Sequence, residues 1–376
     1  MRKLIIQLHL WIGLTTGAVL AVVGVTGSVY TFQPELTRML YSDLYTSTAS
    51  GVLPKPAEVV FKAAEKHFGA PVTNALFPLR ELENYAFKVK GKKEWVFFDA
   101  STGAYLGEME KRRGILDTVL EIHRQLTLGE IGSTITGICS LLLALVLVSS
   151  GLYLWLPRKK KKLKAGLTFK RNASSKRRNY DIHNVLGFYF SLPLFIAATT
   201  GLYFAFPEQV QAVADVLTNS KAKTPNPKEL KSVYQAGVAP VSVYQLLEQM
   251  QSFEDQGYYK RNLTMPKDSL DYAYFSLTNA SEVDRGPEYR PQVYLDQYSG
   301  QPLYVYEPLR ASSGSQLTRN WFLPVHFGEI GGMFTRVLWF IMGLMPAILW
   351  VSGIVIWRNK SKKKKSQAKH TDQITA

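Results

Sequence analysis

Four apolar blocks, at residues 8–32, 135–157, 185–207 and 337–357, contain no Asp, Glu, Lys or Arg. Each is long enough for the roughly 20 helical residues that cross a hydrocarbon core. Unpaired backbone polar groups are too costly in lipid for anything except helices or closed barrels, so this pattern confines the chain to a helical membrane fold. The N-terminal MRKLIIQLHLWIGL has the charged start and apolar middle of a secretory signal. Its apolar run is longer than a usual signal core and no clean small-x-small site follows, so it is expected to stay as the first span.

The formal net charge of +16 is not spread along the chain. Arg2 and Lys3 precede the first block, 11 Lys and Arg with no acid lie between residues 158 and 178, and 7 more follow from Arg358. The two long connections are nearly balanced: residues 33–130 hold 13 basic and 13 acidic side chains, and residues 207–335 hold 11 and 14. Basic residues collect on the cytoplasmic side, so both termini and the short middle loop are expected there and the two long regions outside. This predicts a multi-pass protein of a bacterial inner membrane. Runs such as KKKKLK and KSKKKK read as anchors on the lipid bilayer rather than as a nucleic-acid surface. The single cysteine, Cys139, excludes intramolecular disulfides, CxxC redox pairs and four-cysteine iron–sulfur clusters. Phosphate loops, HExxH motifs, GxSxG elbows and dinucleotide fingerprints are absent.

The chain repeats itself. His9-Leu-Trp-Ile-Gly13 matches His183-Asn-Val-Leu-Gly187, and a Thr-Gly pair ends 18 residues after each histidine, at Gly27 and Gly201. His123 precedes Gly129-Glu-Ile-Gly132 as His326 precedes Gly328-Glu-Ile-Gly331, and the blocks that follow both contain Ser-Gly-x-x-x-Trp, at residues 150–155 and 352–357. Glu130 and Glu329 in these motifs read as residues at helix starts. Outside the membrane, Asp99-x-x-x-Gly103 and Asp296-x-x-x-Gly300 each follow a strand pattern, with amphipathic helices at 56–68 and 241–253 ahead of them. Each external region reads as a small α+β unit, and both halves run in the same direction.

With these motifs in hand, the chain resembles the PepSY-associated transmembrane family over nearly its whole length. The resemblance implies a four-helix transmembrane bundle carrying two periplasmic α+β PepSY-like modules as a tandem parallel repeat. The expected layout is a first membrane helix at 1–34, a module at 35–113, an interfacial helix and second membrane helix at 114–157, and a basic loop at 158–180. A third helix at 181–207, a second module at 208–318, an interfacial segment with the fourth helix at 319–357 and a basic tail at 358–376 complete it. Some members act in iron uptake as membrane reductases of ferric siderophores and carry b-type haem on membrane histidines.

Of the six histidines, four stand at membrane edges in repeat-related pairs. His9 and His183 open spans beside basic cytoplasmic segments, whereas His123 and His326 precede spans from outside. A six-coordinate haem iron takes one axial nitrogen from each of two imidazoles. By depth, His9 would pair with His183 and His123 with His326, giving two haem b groups. An interfacial histidine by itself is often only an amphipathic anchor, but two symmetric pairs near the bilayer point to function. Haem propionates need cations, for which Arg124, Arg336 and Arg319 are candidates outside and Arg2, Lys3, Arg177 and Arg178 inside. His67 and His370 have no counterpart in the other half and are expected to be solvated.

The first expectation is a haem-containing oxidoreductase that passes electrons from a quinol or a cytoplasmic reductase to ferric iron or a ferric siderophore outside. The alternative is a non-enzymatic membrane-anchored module whose PepSY-like regions bind peptides or proteins; it leaves the repeated histidines without a role. A transporter lacks the charged or broken mid-membrane helix of a substrate path.

Overall fold

A computed structural model describes residues 1–47, 54–79, 83–157, 163–220, 227–234, 236–278 and 290–375, with the side chains of residue 228 and of residues 362–375 outside that description. Among the described residues three helices are long and apolar enough to cross a membrane: α1 (Arg2–Thr31), the run Gly129–Trp155, and the first 30 residues of a terminal helix, Gly332–Ser361. A bent pair, Ser175–Tyr189 and Ser191–Ala205, passes the same test when taken together, its halves meeting at 59°. The third span therefore departs from the straight helix expected at 181–207, and the broken membrane helix whose lack was held against a transporter is present. Pro193 supplies the reason: it has no N–H for the carbonyl four residues back, at Tyr189, and its ring crowds that carbonyl, so the helix breaks at Phe190.

Between α1 and the second span lie helix α2 (Ala57–Phe68) and strands β1 (Val72–Leu76), β2 (Tyr85–Val89), β3 (Trp95–Phe98) and β4 (Tyr105–Met109). Next comes the amphipathic helix α3 (Ile115–Gln125), followed by α4, which runs from Gly129–Leu142 through a π-helical turn, Leu143–Leu147, to Val148–Trp155. The bent pair is α5 (Ser175–Asp181, a π turn Ile182–Leu186, Gly187–Tyr189) and α6 (Ser191–Ala205). Outside again are α7 (Pro207–Leu217), α8 (Val243–Gln249), β5 (Tyr259–Thr264), β6 (Tyr272–Thr278), β7 (Gln292–Asp296) and β8 (Pro302–Tyr306). The short α9 (Phe322–Phe327) then leads into the terminal helix α10 (Gly332–Thr375).

The eight strands form one antiparallel sheet in the order β4-β3-β2-β1-β5-β6-β7-β8. The two external units, legible in the sequence as separate α+β pieces, thus share a sheet. Their inner edges pair at Asn74↔Thr264, Ala75↔Leu263 and Leu76↔Asn262, which satisfies backbone that each half would leave open at an edge strand. Phe77 N–H donates to Arg261 O at 3.1 Å and Met265 N–H to Thr73 O at 2.8 Å, extending the seam. One face of the sheet packs against α2 and α8, with Phe61, Leu246, Phe87, Leu263, Phe275 and Leu295 at most 1% exposed in a single core drawn from both halves. Gly69, left-handed at φ 62°, ends α2, and a capping box of Ser242 and Gln245 starts α8.

Both Asp-x-x-x-Gly motifs form turns as expected. The N–H of Gly103 donates to Asp99 O and that of Gly300 to Asp296 O, each at 2.9 Å, with the glycines at φ 74° and 70°. Side-chain Oδ1 of each aspartate also accepts from the two following backbone N–H groups it can reach: Ser101 and Thr102, and Tyr298 and Ser299.

Candidate functional site

The four membrane-edge histidines meet as two pairs. The ring centroids of His9 and His183 lie 6.4 Å apart with planes at 86°, and those of His123 and His326 lie 6.2 Å apart at 55°. His9 stands 14 residues before Val23, the α1 residue whose carbonyl meets His123, so the two pairs are separated by roughly 21 Å along that helix. His123 reaches this depth because Val23 lies eight residues inside the end of α1 at Thr31, and α3, which carries His123, packs along α1.

Each ring is held by a Ser-Gly or Thr-Gly dipeptide of a neighbouring span. His9 Nδ1 is 2.8 Å from Ser150 Oγ, and its Cε1 edge faces Gly151. His183 Nδ1 is 2.9 Å from Ser352 Oγ and 3.0 Å from Leu349 O, with its Cε1 edge on Gly353. His326 Nδ1 is 3.0 Å from Thr200 Oγ1, with Cε1 on Gly201. His123 Nδ1 is 2.8 Å from Val23 O and 3.5 Å from Thr26 Oγ1, with Cε1 on Gly27. These dipeptides are the motifs that stood out in the sequence as repeat marks, and their use became visible only when the helices packed.

The hydroxyls fix the tautomers. Ser150 Oγ donates to Val146 O, Thr200 Oγ1 donates to Ile196 O at 2.7 Å and Ser352 Oγ to Leu349 O at 3.0 Å, so each offers only a lone pair to the imidazole. For His123, a carbonyl, Val23 O, is itself the acceptor. In all four rings Nδ1 therefore carries the proton, and Nε2, with no hydrogen-bond partner among the described residues, keeps a free lone pair. An imidazole nitrogen lies about 2 Å from a metal it ligates, and the ring centroid roughly 1.1 Å behind that nitrogen, so two rings sharing one metal in line stand about 6.2 Å apart. Both observed spacings agree with this. Among the described residues no third His, Cys, Asp or Glu joins either pair, so the protein offers two donors per centre and no more.

A cavity of about 530 Å³ surrounds the His123–His326 pair and extends to the polar face of the sheet. Gly27, Gly137 and Gly201 line its membrane end; Asn84 and Arg261 line its far end. Arg124 lines this cavity, its guanidinium 5.8 Å from the Phe204 ring, as expected of a cation near the pair. Arg336 does not. It is 3% exposed, and its two terminal nitrogens bond Glu35 Oε1 and Oε2, both at 2.7 Å, with Thr31 O also accepting from Nη2. A guanidinium with its fork already filled by a carboxylate is not available to a cofactor, which corrects the place given to Arg336 among the propionate partners. Glu35 was the missed residue; lying 301 positions away, it left no local signal.

Arg319 stands over the Tyr306 ring at 4.8 Å. On the other side of the membrane helices, Arg2 donates to Leu154 O at 3.0 Å and Arg177 pairs with Asp181 at 2.8 Å. His67 is exposed near the end of α2, its ring stacked on Tyr105 of β4 at 4.6 Å, and the side chain of His370 falls outside the described residues. Arg112 and Arg113, at the junction of β4 and α3, line the cavity and were not singled out in the sequence. Arg113 donates to Tyr30 Oη at 2.6 Å and lies 3.7 Å from Asp117. Burial draws the Arg112 guanidinium down to about 10.

Apolar helices of membrane-crossing length joined to an antiparallel external sheet define a membrane protein with a sizeable domain outside the lipid. The chain belongs to a known family: the model of the PepSY-associated TM region matches residues 6–360. No curated protein matches it.

Proposed function

We propose that this chain is a haem-containing oxidoreductase of a bacterial inner membrane, passing electrons from a quinol or cytoplasmic reductase to ferric iron, free or in a siderophore, on the periplasmic side. The observation that carries the reading is the fourfold arrangement of histidine against Ser-Gly or Thr-Gly, with the rings of each pair spaced for one shared metal. Two protein donors leave a bare metal ion under-coordinated, whereas a haem brings its four equatorial nitrogens with it. His9 and His183 would hold one haem and His123 and His326 the other. When bound, such a haem would supply reversible one-electron transfer.

The protein's own part follows from its residues. Ser150, Ser352, Thr200 and the Val23 carbonyl orient the rings and raise their basicity. The glycines opposite keep the ring edges free of side chains, and Arg124 offers a cation at the mouth of the cavity for a propionate. This reading takes the spans as a four-helix bundle in tandem parallel repeat, with the basic termini in the cytoplasm and the sheet outside. Lowering ferric to ferrous iron weakens its hold on hard oxygen donors and would free it for import.

The test is a reduced-minus-oxidised absorption spectrum of detergent-purified protein, with haem counted per chain. Two low-spin b haems are expected, and His9→Ala with His183→Ala should remove one of them and stop electron flow across the membrane. Colourless protein from haem-replete cells would overturn the proposal in favour of a peptide- or protein-binding module.

A further inference from the structure

A second cavity, of about 290 Å³, lies on the polar face of the sheet along the seam between β1 and β5. Asn74, Asn262 and Thr264 contribute polar side chains to it, and it shares Arg112, Arg113 and Arg261 with the larger cavity that reaches the His123–His326 pair. The two spaces therefore meet at an arginine cluster. Six arginines and two glutamates line the larger cavity. One glutamate, Glu83, lies 3.5 Å from Arg38.

Arg112 is the member of the cluster with nothing to hold. Its guanidinium makes no hydrogen bond or ion pair among the described residues, the residue is half-buried, and Tyr45 fixes its backbone by donating to Arg112 O. A guanidinium fork that lines both cavities and is unanswered by the protein offers itself to a ligand with acceptor oxygens.

We propose that Arg112 is the seat for a carboxylate at the junction of the two cavities. A carboxylate accepts two parallel N–H bonds from such a fork. Two sources carry this chemistry: a haem propionate rising from the His123–His326 pair, which rests on the function proposed above, and a carboxylate-bearing solute or metal chelate entering from outside, which does not.

The experiment compares the full-length protein in detergent with its Arg112→Ala and Arg112→Lys variants. Haem per chain and the midpoint potential of each haem report the propionate, and isothermal titration with gallium(III) citrate, a redox-inert polycarboxylate chelate, reports the solute. If a propionate is seated, R112A lowers haem occupancy or shifts one potential while gallium citrate titration stays flat. If a solute is seated, wild type binds gallium citrate in a salt-dependent manner and R112A weakens it by about ten- to a hundredfold, with haem unchanged. R112K keeps the charge without the fork and falls between, which guards against a misfolded alanine variant. Unchanged haem content, potentials and chelate binding in both variants would overturn the proposal. Colourless wild-type protein defeats the haem reading alone, since the citrate titration still decides the role of Arg112.

Discussion

A Cβ added to Gly27 would lie 2.8 Å from Cε1 of His123, closer than real side-chain carbons approach one another. The same contact is 3.0 Å between Gly201 and His326, 3.3 Å between Gly151 and His9, and 3.4 Å between Gly353 and His183. The ring positions are thus set from behind by missing side chains as much as by hydrogen bonds in front.

A graded series of alanine variants follows. Gly27→Ala must displace His123 and is expected to cost the haem of that pair, halving the haem count per chain; Gly201→Ala should do so partially. Gly353→Ala, at ordinary contact distance, should retain both. Haem quantification across the three variants checks the order, and equal retention in all three would remove the glycines from any role at the site.

The serines predict an asymmetry within the other pair. Among the described residues Ser150 Oγ alone meets His9 Nδ1, whereas His183 keeps the Leu349 carbonyl if Ser352 is lost. Ser150→Ala should weaken cofactor retention by about tenfold or more, on the scale of other second-layer ligand partners, and Ser352→Ala by less. Haem loss to apomyoglobin measures both.

Arg336 and Glu35 make a separate, structural prediction. Truncating Glu35 strands a guanidinium that is 3% exposed, so Glu35→Ala should destabilise the protein by about 2–3 kcal/mol, below the figure for a fully buried pair because Glu35 is 39% exposed. Haem content should stay at the wild-type level, since neither residue lines the cavity. Thermal unfolding in detergent and haem counting together decide it.

Asp296 gives a pH dependence. Burial works against its charge, but N–H groups of Ser299, Val233 and Tyr298 and the Ser299 hydroxyl outweigh that, so the carboxyl titrates below its ordinary value. A depressed folded value means the stabilisation is complete above the unfolded carboxylate range near pH 4 and is lost as pH falls through the folded value. Unfolding of the external domain in urea should therefore show an acid limb below about pH 4, and Asp296→Asn should flatten it while lowering stability at neutral pH.

The sequence determined the features that are local or periodic. Long uncharged blocks specify membrane helices because lipid tolerates little else, Asp-x-x-x-Gly specifies its turn because the glycine takes a left-handed φ, and apolar spacing specified α2, α3 and α8 to within a few residues. The repeat itself pointed to the four histidines and even displayed the Thr-Gly and Ser-Gly dipeptides that hold them. Tertiary structure alone decided which dipeptide meets which ring, since His9 and Ser150 are 141 residues apart and His326 and Thr200 are 126 apart. It also decided that the two external units close into one sheet, because the complementarity of β1 and β5 as open edges has no signature in either strand. Arg336 is the clearest instance: a cation at the right membrane edge is legible in the sequence, but whether its fork faces a cavity or a carboxylate 301 residues away is settled by packing.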